Sequence, residues 1–79
     1  MALQALVFLN CDYRSIKDTI KSIGKVKGVI ESHATSGAYD AILKVETGSE
    51  NELRHVIKSV AAVSGVIAIV TSIIVDART

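Results

Sequence analysis

An α+β domain with its elements in the order β-α-β-β-α-β is predicted by three features of this sequence. Two stretches, near residues 15–24 and 49–64, carry isoleucine, leucine and valine at helical spacing. Apolar or β-branched runs flank both of them. A glycine at position 37 divides the middle run into two pieces that each read as a strand, which together make a hairpin.

The elements follow in chain order. Residues 2–9, ALQALVFL, form a short apolar run and read as a buried strand, and NCDYRS then breaks it. From Ser15 onward, Ile16, Ile20 and Ile23 recur at helical spacing, with Lys17, Asp18, Lys21 and Lys25 between them. Ser15 is the expected N-cap, because its hydroxyl can accept an orphan amide of the first turn. Gly24 is the expected stop. KGVIESHATS (27–36) reads as a strand, Gly37 as its punctuation, and YDAILKVE (39–46) as a second strand. Alternation places Tyr39, Ala41, Leu43 and Val45 on one face and Asp40, Ile42, Lys44 and Glu46 on the other. Ser49 and Glu52 have the spacing of a capping box. Leu53, Val56, Ile57 and Val60 then form an apolar stripe, and Gly65 lies past its end. GVIAIVTSIIV (65–75) closes the chain as a strand. Two β-α-β units in this order imply a ferredoxin-like arrangement, a four-stranded antiparallel sheet with both helices on one face.

The chain has 79 residues and is expected to be a single domain over 1–79. That is a small core to stand alone. The lone Cys11 excludes an internal disulfide, and no Cys/His cluster has the spacing of a zinc site. Association is left as the source of further burial. The pattern of the last strand points the same way. Val66, Ala68, Val70 and Ile74 alternate onto one face and Ile67, Ile69 and Ile73 onto the other, so both faces are apolar. A half-solvated antiparallel sheet alternates apolar with polar, so the face without helices is expected to meet a second copy, sheet against sheet.

Composition narrows the function. The net charge is +1, with nine basic and eight acidic residues dispersed along the chain. Direct nucleic-acid binding would call for clustered Lys and Arg. The start, MALQALVFLN, lacks a basic leader and reads as a strand rather than a signal peptide. No apolar run is long enough to span a bilayer, and a cytoplasmic location is expected. Cys11 and Asp12 close the first strand, but His33 and His55 stand at unrelated positions, so neither a metal nor a thiol site is expected. GKVKGV opens a strand, which is the wrong context for cradling phosphate. No cofactor is expected.

The remaining signal is the hairpin with its surroundings. Gly37-x-Tyr39-Asp40, the strand AILKV after it, the capped helix, and Gly65-Val66 leading to Thr71 together resemble the C-terminal effector module of the Lrp/AsnC (feast/famine) transcription regulators, the regulation-of-amino-acid-metabolism (RAM) domain. The resemblance covers about residues 28–75. It implies a non-enzymatic module that forms sheet-to-sheet dimers, which assemble further into octamers or similar rings. It also implies that a small effector, an amino acid or similar metabolite, binds in clefts between dimers. Carried over residue by residue, it places Gly37, Tyr39 and Asp40 at the cleft, with Asp40 suited to an α-ammonium group. Ile69, Thr71 and Ser72 of the last strand join them. The family often carries two threonines separated by one residue; here Thr71 matches the second, and Ile69 stands at the first. Ala38 stands where an acid is common. Such regulators carry an N-terminal helix-turn-helix domain, whereas this sequence opens on the module's first strand. The expectation is a stand-alone module that acts by mixed assembly with full-length regulators. Two alternatives stay open. One is a purely structural assembly module with a degenerate cleft, as Ile69 and Ala38 suggest. The other is a small enzyme of the dimeric α+β barrel type, for which His33 and Asp12 are the candidates.

Overall fold

The expected element order is the one found in the computed structural model, which describes residues 2–75. Met1 and residues 76–79, counted above within the single domain, lie outside the described residues. The strands are β1 (Leu3–Cys11), β2 (Val29–Ala34), β3 (Ala41–Thr47) and β4 (Val66–Ile73), and the helices are α1 (Ile16–Ile23) and α2 (Glu50–Ala61). They form one antiparallel sheet in the order β2-β3-β1-β4. This is the ferredoxin-like topology.

The register explains the core. Ala5, Val7 and Leu9 of β1 face Val45, Leu43 and Ala41 of β3. All six are fully buried, and Ile23 of α1 and Leu53, Val56 and Val60 of α2 close over them. Burying each of the larger side chains contributes about 1.5–3 kcal/mol. The apolar stripe of α2 is therefore the one its spacing predicts. One half of its capping box forms as expected, Ser49 Oγ accepting from Glu52 N (3.2 Å), while the return bond reaches one residue further back, Glu52 Oε2 accepting from Gly48 N (2.9 Å).

The start of α1 differs from expectation. Ser15 makes no side-chain cap; Asp12 takes that part instead, its Oδ1 accepting from Arg14 N at 3.0 Å and so opening a short 3-10 turn over Tyr13–Ser15. The carboxylate lies one turn earlier and captures the first free amide. α1 does end at Gly24, but that residue is right-handed (φ −60°), so its stop does not use a left-handed glycine.

Strand β4 corrects the reading of its faces. Ala68 pairs with Asn10 but Val66 with Cys11, so Ile67 is inserted as a bulge. One extra residue reverses the alternation. Val66, Ile69, Thr71 and Ile73 therefore lie on the helix-covered side, and Ala68, Val70 and Ser72 on the other. The open face is consequently less apolar than alternation implies. Leu6, Phe8, Ile42 and Val70 form its apolar centre, while Glu31, His33, Lys44 and Glu46 occupy the side toward β2.

Candidate functional site

The loop between β2 and β3 spans residues 35–40, and its conformation is set by its own polar groups. Thr35 N donates to the Asp40 carbonyl and Thr35 Oγ1 to the Tyr39 carbonyl, both at 2.8 Å. Gly37 sits at φ +140°, a conformation that L side chains rarely adopt. A Cβ there would meet nothing within 4 Å, so the backbone alone demands the glycine.

Asp40 ties this loop to β1. Its N–H donates to the Leu9 carbonyl, and its Oδ2 accepts from Cys11 N, each at 2.8 Å. The carboxylate thus continues the β1–β3 ladder by one rung after the β3 backbone has turned away, and an ionised acceptor makes that rung strong. Cys11 lies buried behind it. Burial, and secondarily the negative charge of Asp40, pushes its thiol above the ordinary range. A thiol held protonated in this way is a poor nucleophile.

The irregular backbone at Asp40 also moves Tyr39. Alternation places Tyr39 with Ala41, Leu43 and Val45, yet β3 starts only at Ala41. The Tyr39 ring instead packs against Phe8, centroids 5.3 Å apart and tilted by 43°, on the face away from the helices. Loop and open face are therefore continuous at this corner.

The candidate residues of β4 lie elsewhere. Ile69, half-buried, and Thr71 are on the helix side, opposite Leu9 and Val7, whereas Ser72 is on the open face opposite Leu6. Strand β1 separates all three from Asp40. Within one chain, Gly37, Tyr39 and Asp40 come together; Ile69, Thr71 and Ser72 do not join them. Thr71 instead lines a groove of about 770 Å³ between β4 and α2, whose other walls carry Asn51, Arg54 and Lys58. Sequence reasoning passed over Arg54 and Lys58, although their spacing with Asn51 marks one helical stripe. A second, more polar groove of about 480 Å³ lies between the loop before β2 and α2, lined among others by Lys27, Glu46 and His55.

The residues of the enzymatic alternative are not brought together. His33 pairs with Glu31 on β2 (3.2 Å), and Asp12 with Arg14 beyond β1 (3.3 Å). Among the described residues no group of His, Cys, Asp and Glu could hold a metal, and no helix is long and apolar enough to cross a membrane.

Comparisons with known proteins agree with this architecture. A protein of Thermus thermophilus superimposes with a TM-score of 0.91 at 20% identity, covering 98% of both chains. A transcriptional regulator of Neisseria meningitidis, in complex with L-Met, gives a TM-score of 0.85 at 21% identity, over 98% of this chain and 52% of that one. At these identities the likeness is one of fold. In sequence, the homocitrate synthase of Sulfolobus acidocaldarius is 36% identical over 73 residues, which is 91% of this chain but 16% of the enzyme. The chain thus spans a small fraction of the curated relatives it matches. Residues 4–78 match the Lrp/AsnC ligand binding domain. With that match running through every strand and helix described above, the chain belongs to the Lrp/AsnC ligand-binding domain family.

Proposed function

We propose that this chain is the effector-binding and assembly module of a regulatory system. Its effector is a free amino acid or similar metabolite, held in clefts between sheet-to-sheet dimers. The observation that carries this reading is the family match over residues 4–78. The open face supports the dimer. Leu6, Phe8, Ile42 and Val70 leave an apolar centre with no helix over it, and such patches mark association surfaces. Because Asp40 and Thr71 lie apart in one chain, a cleft using both is completed by a second copy. The module acts on full-length Lrp/AsnC regulators through mixed assembly, in which the effector shifts the population of oligomers.

Asp40 is the residue that decides the chemistry. Its Oδ2 serves the Cys11 amide, which leaves Oδ1 for an ammonium group. Asp40→Asn retains an acceptor for that amide but removes the charge, whereas Asp40→Ala removes both. Titration calorimetry against the amino acids should find a binder for the native chain. Asp40→Asn should weaken it at least tenfold, with the melting temperature nearly unchanged. Heat with no amino acid at all would sink the effector reading. Undiminished binding by Asp40→Asn would leave the carboxylate as a latch only.

A second reading is favoured by the resemblance to homocitrate synthase, which reaches 36% over 73 residues. A module of this size attached to, or associating with, a biosynthetic enzyme would regulate catalysis instead of transcription. Co-purification from the source cell distinguishes the two, by whether the captured partner is a DNA-binding regulator or an enzyme.

A further inference from the structure

The groove of about 480 Å³ between α2 and the loop before β2 is lined by neither the hairpin nor β4. Strand β3 runs from Ala41, beside the hairpin, to Thr47, and the groove opens at the Thr47 end. It lies on the helix-covered side, near the β2 edge, with β4 at the other edge of the sheet. A second copy packed on the open face leaves it uncovered.

Its polar groups divide into two classes. The acids and Thr47 are committed within the chain. Glu46 Oε2 accepts from Gln4 Nε2 at 3.1 Å, Glu52 Oε2 accepts from Gly48 N at 2.9 Å, and Thr47 Oγ1 donates to the Ser49 carbonyl at 2.9 Å. The donors are not committed. Lys27 lies on the loop, while His55 and Ser59 lie one turn apart on α2, and all three are exposed. Among the described residues none of these three side chains has an acidic partner; the ion pairs formed are Arg14–Asp12 and His33–Glu31. Val26 and Val56 add hydrocarbon to the lining.

The two walls keep a fixed spacing. Gly28, at φ +101°, brings the loop so close to α2 that a Cβ there would stand 2.7 Å from Val56 Cγ2. The matching place beside Gly65 is built differently. There the Thr19 and Ser15 hydroxyls fill the space and bond within the chain, to the Ser64 and Asp12 carbonyls. At Gly28 the polar groups stand back from the glycine and leave the groove open.

We propose that this groove binds a small organic anion, its carboxylate or phosphate held by Lys27, His55 and Ser59 and its hydrocarbon laid on Val26 and Val56. Bonds from a cationic donor to an anion are the strong ones, so Lys27 sets the choice of charge. A space of this size accepts a small metabolite rather than a polymer. Every wall belongs to one chain, so the site is complete in a monomer and takes one ligand per chain. A cleft joining Asp40 to Thr71 needs two copies. The inference is independent of any effector at Asp40.

The test is an amide NMR titration of the full chain with isovalerate, isobutyl phosphate and isovaleramide, the last being the neutral counterpart of the first. At least one anion should shift the amides of Lys27, Gly28, His55 and Ser59 saturably, and the tighter of the two identifies the charged group. Isovaleramide should bind at least fivefold more weakly than that anion. Lys27→Met should weaken the anion about threefold or more, and Lys27→Arg, which keeps the cation, should retain it. Lys27→Glu should abolish the preference for the anion over the amide. Asp40→Asn should leave these shifts unchanged, so that failure of the effector cleft and failure of this groove are read separately. Shifts confined to residues 35–40, no saturation by either anion, equal affinity for isovaleramide, or indifference to Lys27→Met would each overturn the proposal.

Discussion

The two connections that lead from helix to strand share a sequence and differ in what they touch. Residues 26–30 read VKGVI, and residues 63–67 read VSGVI. Their backbones agree in detail. In each, the first valine donates to the last turn of the preceding helix, and the second valine donates back to the first, at 3.2 Å in one and 3.3 Å in the other. Gly28 and Gly65 stand at φ +101° and +97°. The glycine carbonyl accepts an amide from the end of a neighbouring strand, Glu46 N in the first (2.9 Å) and Asp12 N in the second (2.7 Å). Each connection then opens an edge strand with a bulged isoleucine, Ile30 or Ile67. The difference is the lock. Gly28 lies under Val56 of α2, whereas Gly65 lies under the hydroxyls of Thr19 and Ser15 in the first half of the chain. Each half thus seats its glycine against the helical segment of the other half. One lock is hydrocarbon and the other is polar.

That difference predicts unequal tolerance. Gly65→Ala should cost the most, about 3 kcal/mol or more in chemical denaturation. The left-handed backbone contributes about 1–2 kcal/mol of it. The rest is a collision with Thr19 Oγ1, which cannot swing aside, because it is buried and donates to the Ser64 carbonyl at 3.0 Å. A cost below about 1 kcal/mol would show that the polar lock yields as easily as the other.

Gly28→Ala should come next, at about 2 kcal/mol. It carries the same backbone penalty, but the new Cβ meets only a methyl group, Val56 Cγ2, at 2.7 Å. Val56→Ala should relieve that collision. The double variant Gly28→Ala/Val56→Ala should therefore lose about 1 kcal/mol less than the two single losses together. Strict additivity would mean that only the dihedral angle matters at Gly28, and the two locks would then differ in kind.

Much of this architecture is legible in the sequence. The stripe Leu53-Val56-Ile57-Val60 and the Ser49 cap on Glu52 N are local signals, and both form as predicted, with the Glu52 carboxylate displaced by one residue to Gly48 N. What escapes depends on partners distant in the chain. Nothing in VIAIVTSI marks Ile67 as the inserted residue, because the bulge exists only in register with β1, and it reverses the faces of every residue after Val66. Asp40 escapes in a similar way. An acid after a hairpin glycine looks the same whether it meets a ligand or the amide of Cys11 twenty-nine residues away. Ser15 has the spacing of a cap, but Asp12, three residues earlier, opens the helical segment one turn sooner by accepting from Arg14 N, and Ser15 then lies inside that 3-10 turn. The candidate site is accordingly legible as a loop, but the separation of Asp40 from Thr71 needs the sheet order.

Gly37 supplies the control that isolates the backbone term. It too has a positive φ, +140°, but no atom lies within 4 Å of where an alanine methyl would stand. Gly37→Ala should therefore cost about 1–2 kcal/mol, the conformational part alone and less than either Gly65→Ala or Gly28→Ala. A loss as large as that of Gly28→Ala would imply that the loop is covered in the assembled protein, as a cleft between dimers requires.

The smallest effects belong to the bulged isoleucines, and they ask whether the two connections remain equivalent in solution. Ile30 is 51% exposed and Ile67 is 70% exposed in the single chain. Each is the inserted residue of its strand, so its side chain packs into neither face of the ladder. Ile30→Thr and Ile67→Thr keep the β-branched shape and replace exposed apolar surface with a hydroxyl that water can solvate. If a chain's own contacts were all that mattered, both should change stability by less than about 0.5 kcal/mol, as surface substitutions do. Ile67 adjoins the unprotected edge of β4, whereas Ile30 adjoins the charged edge of β2. A loss above about 1 kcal/mol for Ile67→Thr alone, growing with protein concentration, would mean that another chain covers the β4 edge. The two connections would then be alike in folding and unlike in association, because the same bulge is solvated at one edge and buried by a neighbour at the other.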